Sequence, residues 1–168
     1  MERMYVPGRG DERARLNGFL EAQRVNVHRK CEGLSEEFAH KHLFSATSPL
    51  MSVAGVVSHL RWVEHWWFEH ILLDEPERAP WTAEDPDAEF YVDDVPFIRL
   101  LDDYTRQCAR TDEIVAALPL DHVAVHAPLA SSGHATAGWM LGHMATETAR
   151  HVGHIDIMRE LMDGSVGH

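Results

Sequence analysis

Apolar residues recur at three- and four-residue intervals along four long segments, with turn-forming residues between them. The first runs from about Asp11 to Glu32, with Leu16, Phe19, Leu20, Gln23 and Val27 near one stripe. Asp11 fits an N-cap and Gly33 a stop. A looser stretch, Leu34 to Leu50, follows. The second helix is expected from about Ser52 to Leu73, where Val53, Val56, Val57, Leu60, Val63, Trp66, Trp67 and Leu72 are spaced for broad burial. The third fits about Val95 to Leu118, with Pro96 at an early position that tolerates its missing N–H and Pro119 at the end. The fourth runs from about Thr136 to Met162 and stops at Gly164.

The connections differ in kind. Asp74 to Val95 is acidic, carries Pro76, Pro80 and Pro86, and exceeds the roughly 2–8 residues usual between bundle helices. It is read as a long acidic loop, either a lid or a crossover. Leu120 to Ala135 reads as a loop or a short extended piece. The pattern therefore predicts an all-α four-helix bundle, with residues 1–168 as one domain.

Composition narrows the function. The chain has 168 residues, 45% of them hydrophobic, enough for one sizeable core. A net charge of −12 argues against nucleic acid or an anionic membrane as the main partner. No stretch approaches the roughly 18 apolar residues of a membrane span, and Met1 to Gly10 lacks the apolar run of a leader. Two cysteines, Cys31 and Cys108, cannot build a disulfide framework, so a reducing, cytoplasmic setting is expected. The 13 histidines stand out.

Several of them converge on the fourth helix. At roughly 100° per residue, His143, Glu147, His151 and His154 fall within an arc about 80° wide. The i,i+4 spacing of Glu147 and His151 lets the two share one metal ion, and His154 is the next most reachable. Two ligands from one helix do not close a site, so a third must come from a facing helix. The second helix offers His59, His65 and His70; His59 lies among Val56, Val63 and Trp66, on the side expected to face the core. Two imidazoles and a carboxylate suit Zn²⁺ or Ni²⁺, with Fe²⁺ compatible, and leave a position for water or substrate.

Other features read as architecture. Trp62, Trp66 and Trp67 fit core and interface aromatics, and Met140, Met144, Met158 and Met162 fit core filler. His40, His42, His122 and His126 fit surface or hydrogen-bonded histidines, and Cys108 on an apolar stripe fits an inert thiol. Near Cys31, the cations His28, Arg29 and Lys30 would lower the thiol pKa while the helix C-terminus opposes that shift.

The residues reached in this way resemble the DinB-like superfamily of four-helix-bundle metalloproteins. The matching pieces are Val57, Ser58, His59, Leu60 and Trp62 on the second helix, and Gly142, His143, Met144, Glu147, Arg150, His151, Gly153, His154 and Asp156 on the fourth. The ending Arg159, Glu160, Leu161 is similar to a subgroup of unknown function. The resemblance implies a divalent metal on one histidine of the second helix and a pair on the last. Here Glu147 stands where the superfamily commonly has histidine, which is similar to the His/Glu/His set of mycothiol-dependent maleylpyruvate isomerases. The implied ligands are His59, Glu147 and His151.

The resemblance also implies a thiol-dependent transferase or isomerase, working on a low-molecular-weight thiol such as mycothiol and an electrophile. In that reading the metal activates a thiolate, and His154 or His143 supports a ligand or takes a proton. The rival is a non-catalytic metal-binding or stress protein, whose site would be closed by a fourth protein ligand such as His154. Metal-assisted hydrolysis is a third, weaker alternative. The aromatic run at Trp62, Trp66 and Trp67 leads us to expect a homodimer.

Overall fold

The computed structural model describes residues 6, 8–127 and 133–166. The N-terminal residues 1–5 and 7, where no leader was read, lie outside them, as do 128–132 and 167–168. The chain forms α1 (Glu12–Cys31), a single turn α2 (Glu36–Ala39), α3 (Val53–His65), α4 (Phe97–Ala117) and α5 (Ala137–Asp163). The four long helices make an all-α bundle, in which α5 packs along α1 and α3 along α4. Among the described residues the only β pairing is one isolated antiparallel bridge, Val123 with Thr136, in the connection before α5. No described helix is long and apolar enough to cross a membrane.

The helix starts follow from local chemistry. Asp11 Oδ1 accepts from Ala14 N at 2.8 Å, Ser52 Oγ from Gly55 N at 3.0 Å, and Thr136 Oγ1 from Trp139 N at 3.3 Å. Pro96 precedes α4 and has no hydroxyl or carboxylate to offer; Glu36 Oε1 instead accepts from Phe97 N at 2.9 Å, so α2 caps α4 from across the fold. At the far end of α5, Gly164 takes φ +74°, the left-handed turn that stops a helix.

Two departures from the expected pattern matter. The helix over 52–73 is continuous, but its residues Trp66–Ile71 form a π-helical turn. The wider turn changes the angular register, and His70 within it meets the Glu75 carbonyl and His126. The second departure is on α1, where Phe19 is 54% exposed while Arg24 and Lys30 are buried. Ion pairing explains the inversion: Arg24 meets Glu64 and Lys30 Nζ lies 2.6 Å from Asp156.

The core consists of two apolar clusters. One gathers Val27, Val57, Leu60, Tyr104 and Ile155, the other Leu20, Phe68, Leu72, Met140 and Met144. The segment from 74 to 96 crosses between α3 and α4 and contains a 3-10 turn, Ala88–Phe90. That turn is bound to α3: Ser58 Oγ donates to the Glu89 carbonyl at 2.7 Å, and Glu89 is 5% exposed.

Candidate metal centre

α3 and α5 run close enough for side chains one helical turn apart to meet across the groove. His59 projects from α3, and Glu147 and His151 from α5. One donor atom from each lies within 4.8 Å of the others, the only group of three or more such donors among the described residues. His59 Nε2 stands 3.7 Å from Glu147 Oε1, and His151 Nε2 stands 3.1 Å from the same oxygen. Two donors on one tetrahedral zinc, each at roughly 2.0–2.1 Å, are separated by about 3.3 Å. The two observed spacings bracket that value.

The chemistry of the donors fits a cation at their centre. His59 Nε2 is buried and has no hydrogen-bond partner. Its other nitrogen, Nδ1, donates to Glu89 Oε1 at 3.1 Å, and the ring stacks on Phe90 with centroids 5.1 Å apart. A carboxylate at one imidazole nitrogen fixes the tautomer and aims the other nitrogen, the usual arrangement behind a metal-bound histidine.

The charges point the same way. Burial works against protonation of His59, but Glu147 and Glu89 outweigh it and raise its pKa. His59 pulls the Glu147 carboxyl down to about 2, against the opposing effect of burial. Burial, and then the neighbouring His59 charge, lowers His151 to about 4, so His151 is neutral at pH 7. An ionised carboxylate and a neutral imidazole are the states a metal requires of its ligands.

The remaining histidines are sorted by their partners. His154 Nδ1 lies 3.4 Å from His151 Nδ1, behind the second ligand candidate. His143 is stacked on Trp139 at 5.0 Å and 6° and meets the edge of Trp67 at 4.7 Å; burial lowers its pKa. His65 is 1% exposed and bound to Glu69 at 2.9 Å, while Gln107 and Arg78 donate to the same carboxylate. His70 stands 2.9 Å from the Glu75 carbonyl and stacks on His126. Neither joins the centre.

Glu89 and Phe90 were not legible as site residues. They lie in the acidic connection, and nothing in its composition separates Glu89 from the acids around it. The only local hint is an apolar triplet, Phe90, Tyr91 and Val92, interrupting an otherwise polar stretch. Both thiols are buried. Burial pushes Cys31 up to about 12, with Arg159 opposing, so the nearby cations do not activate it. Cys108 is pushed well above the usual thiol range by burial and then by Glu64.

Residues 15–164 match the family model described as mycothiol-S-transferase. No curated protein and no solved structure matches the chain. The family match covers α5, α4, α3 and nearly all of α1, and the chain belongs to the mycothiol S-transferase family, a DinB-like family.

Proposed function

We propose that this member of the mycothiol S-transferase family holds a divalent ion between His59, Glu147 and His151 and joins the sulfur of a low-molecular-weight thiol, such as mycothiol, to an electrophile. One observation carries the reading: three donors from two helices converge within 4.8 Å, and the buried His59 Nε2 among them has no partner. Zn²⁺ and Ni²⁺ suit two imidazoles and a carboxylate, and Fe²⁺ is compatible. A bound ion would supply Lewis acidity, lowering the pKa of a thiol that enters its open position.

The chain's own residues do the positioning. Glu89 holds His59 through Nδ1, and His154 supports His151 through its Nδ1. Arg150 Nη1 donates to Glu147 Oε2 at 2.9 Å, leaving Oε1 to face the two histidines. A purely structural site would need a fourth protein ligand. His154, the nearest candidate, is outside the gathered donors, which favours an open position and a catalytic role. We extend the reading to a cytoplasmic homodimer; Trp67 is buried and Trp62 and Trp66 are half-buried, so Phe19 and Trp139, each more than half exposed, replace that run as contact residues. A monomeric mass at micromolar concentration would contradict the dimer.

Elemental analysis tests the centre, on protein purified without chelator or affinity tag, beside a Glu147→Ala, His151→Ala double variant. Near-stoichiometric zinc or nickel is expected in the wild type and none in the variant. A wild type that takes up no divalent ion when one is supplied overturns the metal. If metal is present, disappearance of mycothiol in the presence of an electrophile, absent in the variant, tests the transfer.

A further inference from the structure

Transfer from sulfur needs a second ligand beside the first, and the fold leaves room for one. A pocket of about 290 Å³ is walled by Pro49, Leu50, Met51, Val56, Phe90 and His151. It therefore touches the candidate centre twice, through His151 and through the Phe90 ring that stacks on His59. Its volume sits at the small end of ligand cavities, roughly 300–1,000 Å³, and suits a ring-sized molecule.

The pocket is built from three separate segments. At Gly55 a Cβ would meet Phe90 Cδ1 at 3.1 Å and the Leu50 carbonyl oxygen at 3.3 Å. The missing side chain lets the 3-10 turn and the segment before α3 close together over the helix.

Charge selects among small ligands. Asp87 is the one charged residue in the lining, and neither lysine nor arginine is present there. Glu147 stands 3.1 Å behind His151. Glu89, next to Phe90, keeps a buried Oε2 without a partner. Arg150 is already bound to Glu147, and the whole chain carries −12. With Glu147 and Glu89 offsetting the charge of a divalent ion at the centre, apolar walls with the acidic Asp87 and no lysine or arginine favour a neutral guest over an anion.

We propose that this pocket binds the electrophilic substrate, a small uncharged apolar ring, and turns away carboxylates and other anions. The reaction assigned to that substrate rests on the thiol-transfer reading above; the binding does not. Equilibrium dialysis with 1,3-dinitrobenzene, and with 3-nitrobenzenesulfonate as an anion of similar size and poor metal affinity, reads the binding without any thiol. The neutral ring is expected to bind at least about tenfold more tightly. Asp87→Lys, at an exposed rim position, should narrow that gap severalfold by strengthening sulfonate binding alone. Met51→Trp should fill the pocket and weaken both ligands at an unchanged melting temperature.

Absence of dinitrobenzene binding, sulfonate binding of equal strength, or undiminished dinitrobenzene binding by a folded Met51→Trp overturns the proposal. A turnover arm uses mycothiol and 1-chloro-2,4-dinitrobenzene. There the C–S bond forms, the C–Cl bond breaks, chloride leaves with the bonding pair and the thiol proton passes to solvent. Binding without turnover leaves the pocket standing and removes the thiol-transfer reading. Turnover that Met51→Trp leaves untouched removes the pocket.

Discussion

Helix α3 carries two polar sites less than two turns apart, and they are finished in opposite ways. Glu64 is fully buried, and both of its oxygens are taken by Arg24, at 2.9 Å from Nε and 2.6 Å from Nη2. The remaining guanidinium nitrogen, Nη1, donates to Asp112 at 2.7 Å. The pair lies between the two apolar clusters: Leu60 on α3 and Phe68 on the π turn flank Glu64, and Leu20 and Val27 flank Arg24 along α1. At His59, by contrast, Nε2 and the Glu89 Oε2 are buried without partners, and a pocket opens beside His151. A buried charge costs stability unless it is paired, so a pair closed within the protein serves architecture. Donor capacity left unspent at the half-buried site, beside a pocket, is what the proposed ion would use.

The contrast breaks most readily at the closed pair. Arg24→Ala would strand the Glu64 carboxylate and should cost about 3–5 kcal/mol in urea unfolding. Arg24→Met combined with Glu64→Leu should recover most of that loss, because an apolar pair needs no partner. A cost below about 1 kcal/mol for the single variant would end the architectural reading.

At the open site the effect should be smaller and of another kind. Glu89→Gln removes the carboxylate behind His59 and should weaken zinc binding roughly 10–100-fold in a chelator competition. The unfolding midpoint of the metal-free protein should stay near that of the wild type. A lowered midpoint with unchanged zinc affinity would instead place Glu89 with the closed pair.

The smallest effect concerns the thiols, which belong to the closed region. Cys108 Sγ donates to Glu64 Oε1 at 3.6 Å. With Cys31 pushed up to about 12 by burial, its thiolate fraction at pH 8 is roughly 10⁻⁴. Neither thiol should react with a disulfide reagent at pH 8 until urea unfolds the chain. A thiol whose folded pKa is raised contributes its full stability below the unfolded value, roughly 8.5, and loses it as pH climbs toward the folded one. The urea midpoint should therefore decline between about pH 9 and pH 11. Rapid labelling of the folded protein would show one of the thiols to be accessible.

Much of this molecule is legible in its sequence. Asp11, Ser52, Thr136 and Gly164 mark helix ends because caps are made by residues within one turn. The spacing of Glu147 and His151, and the position of His59 among apolar neighbours, already places three donors for a single centre. The π turn at Trp66–Ile71 was not legible, since its residues keep ordinary helical periodicity. Nor was the burial of Arg24 and Lys30, whose partners Glu64 and Asp156 lie on other helices.

The sequence by itself determined the four helices, their ends and which residues of α3 and α5 could face one another. Those features are local, set by hydrogen bonds and side-chain spacing within a few turns. The tertiary structure alone decided which charges go inside, that Glu36 caps α4 and that Glu89 stands behind His59. It also decided that Leu50, Phe90 and His151 share one pocket. Each of these joins residues far apart in the chain, and no periodicity records such a pairing because only packing brings the partners together.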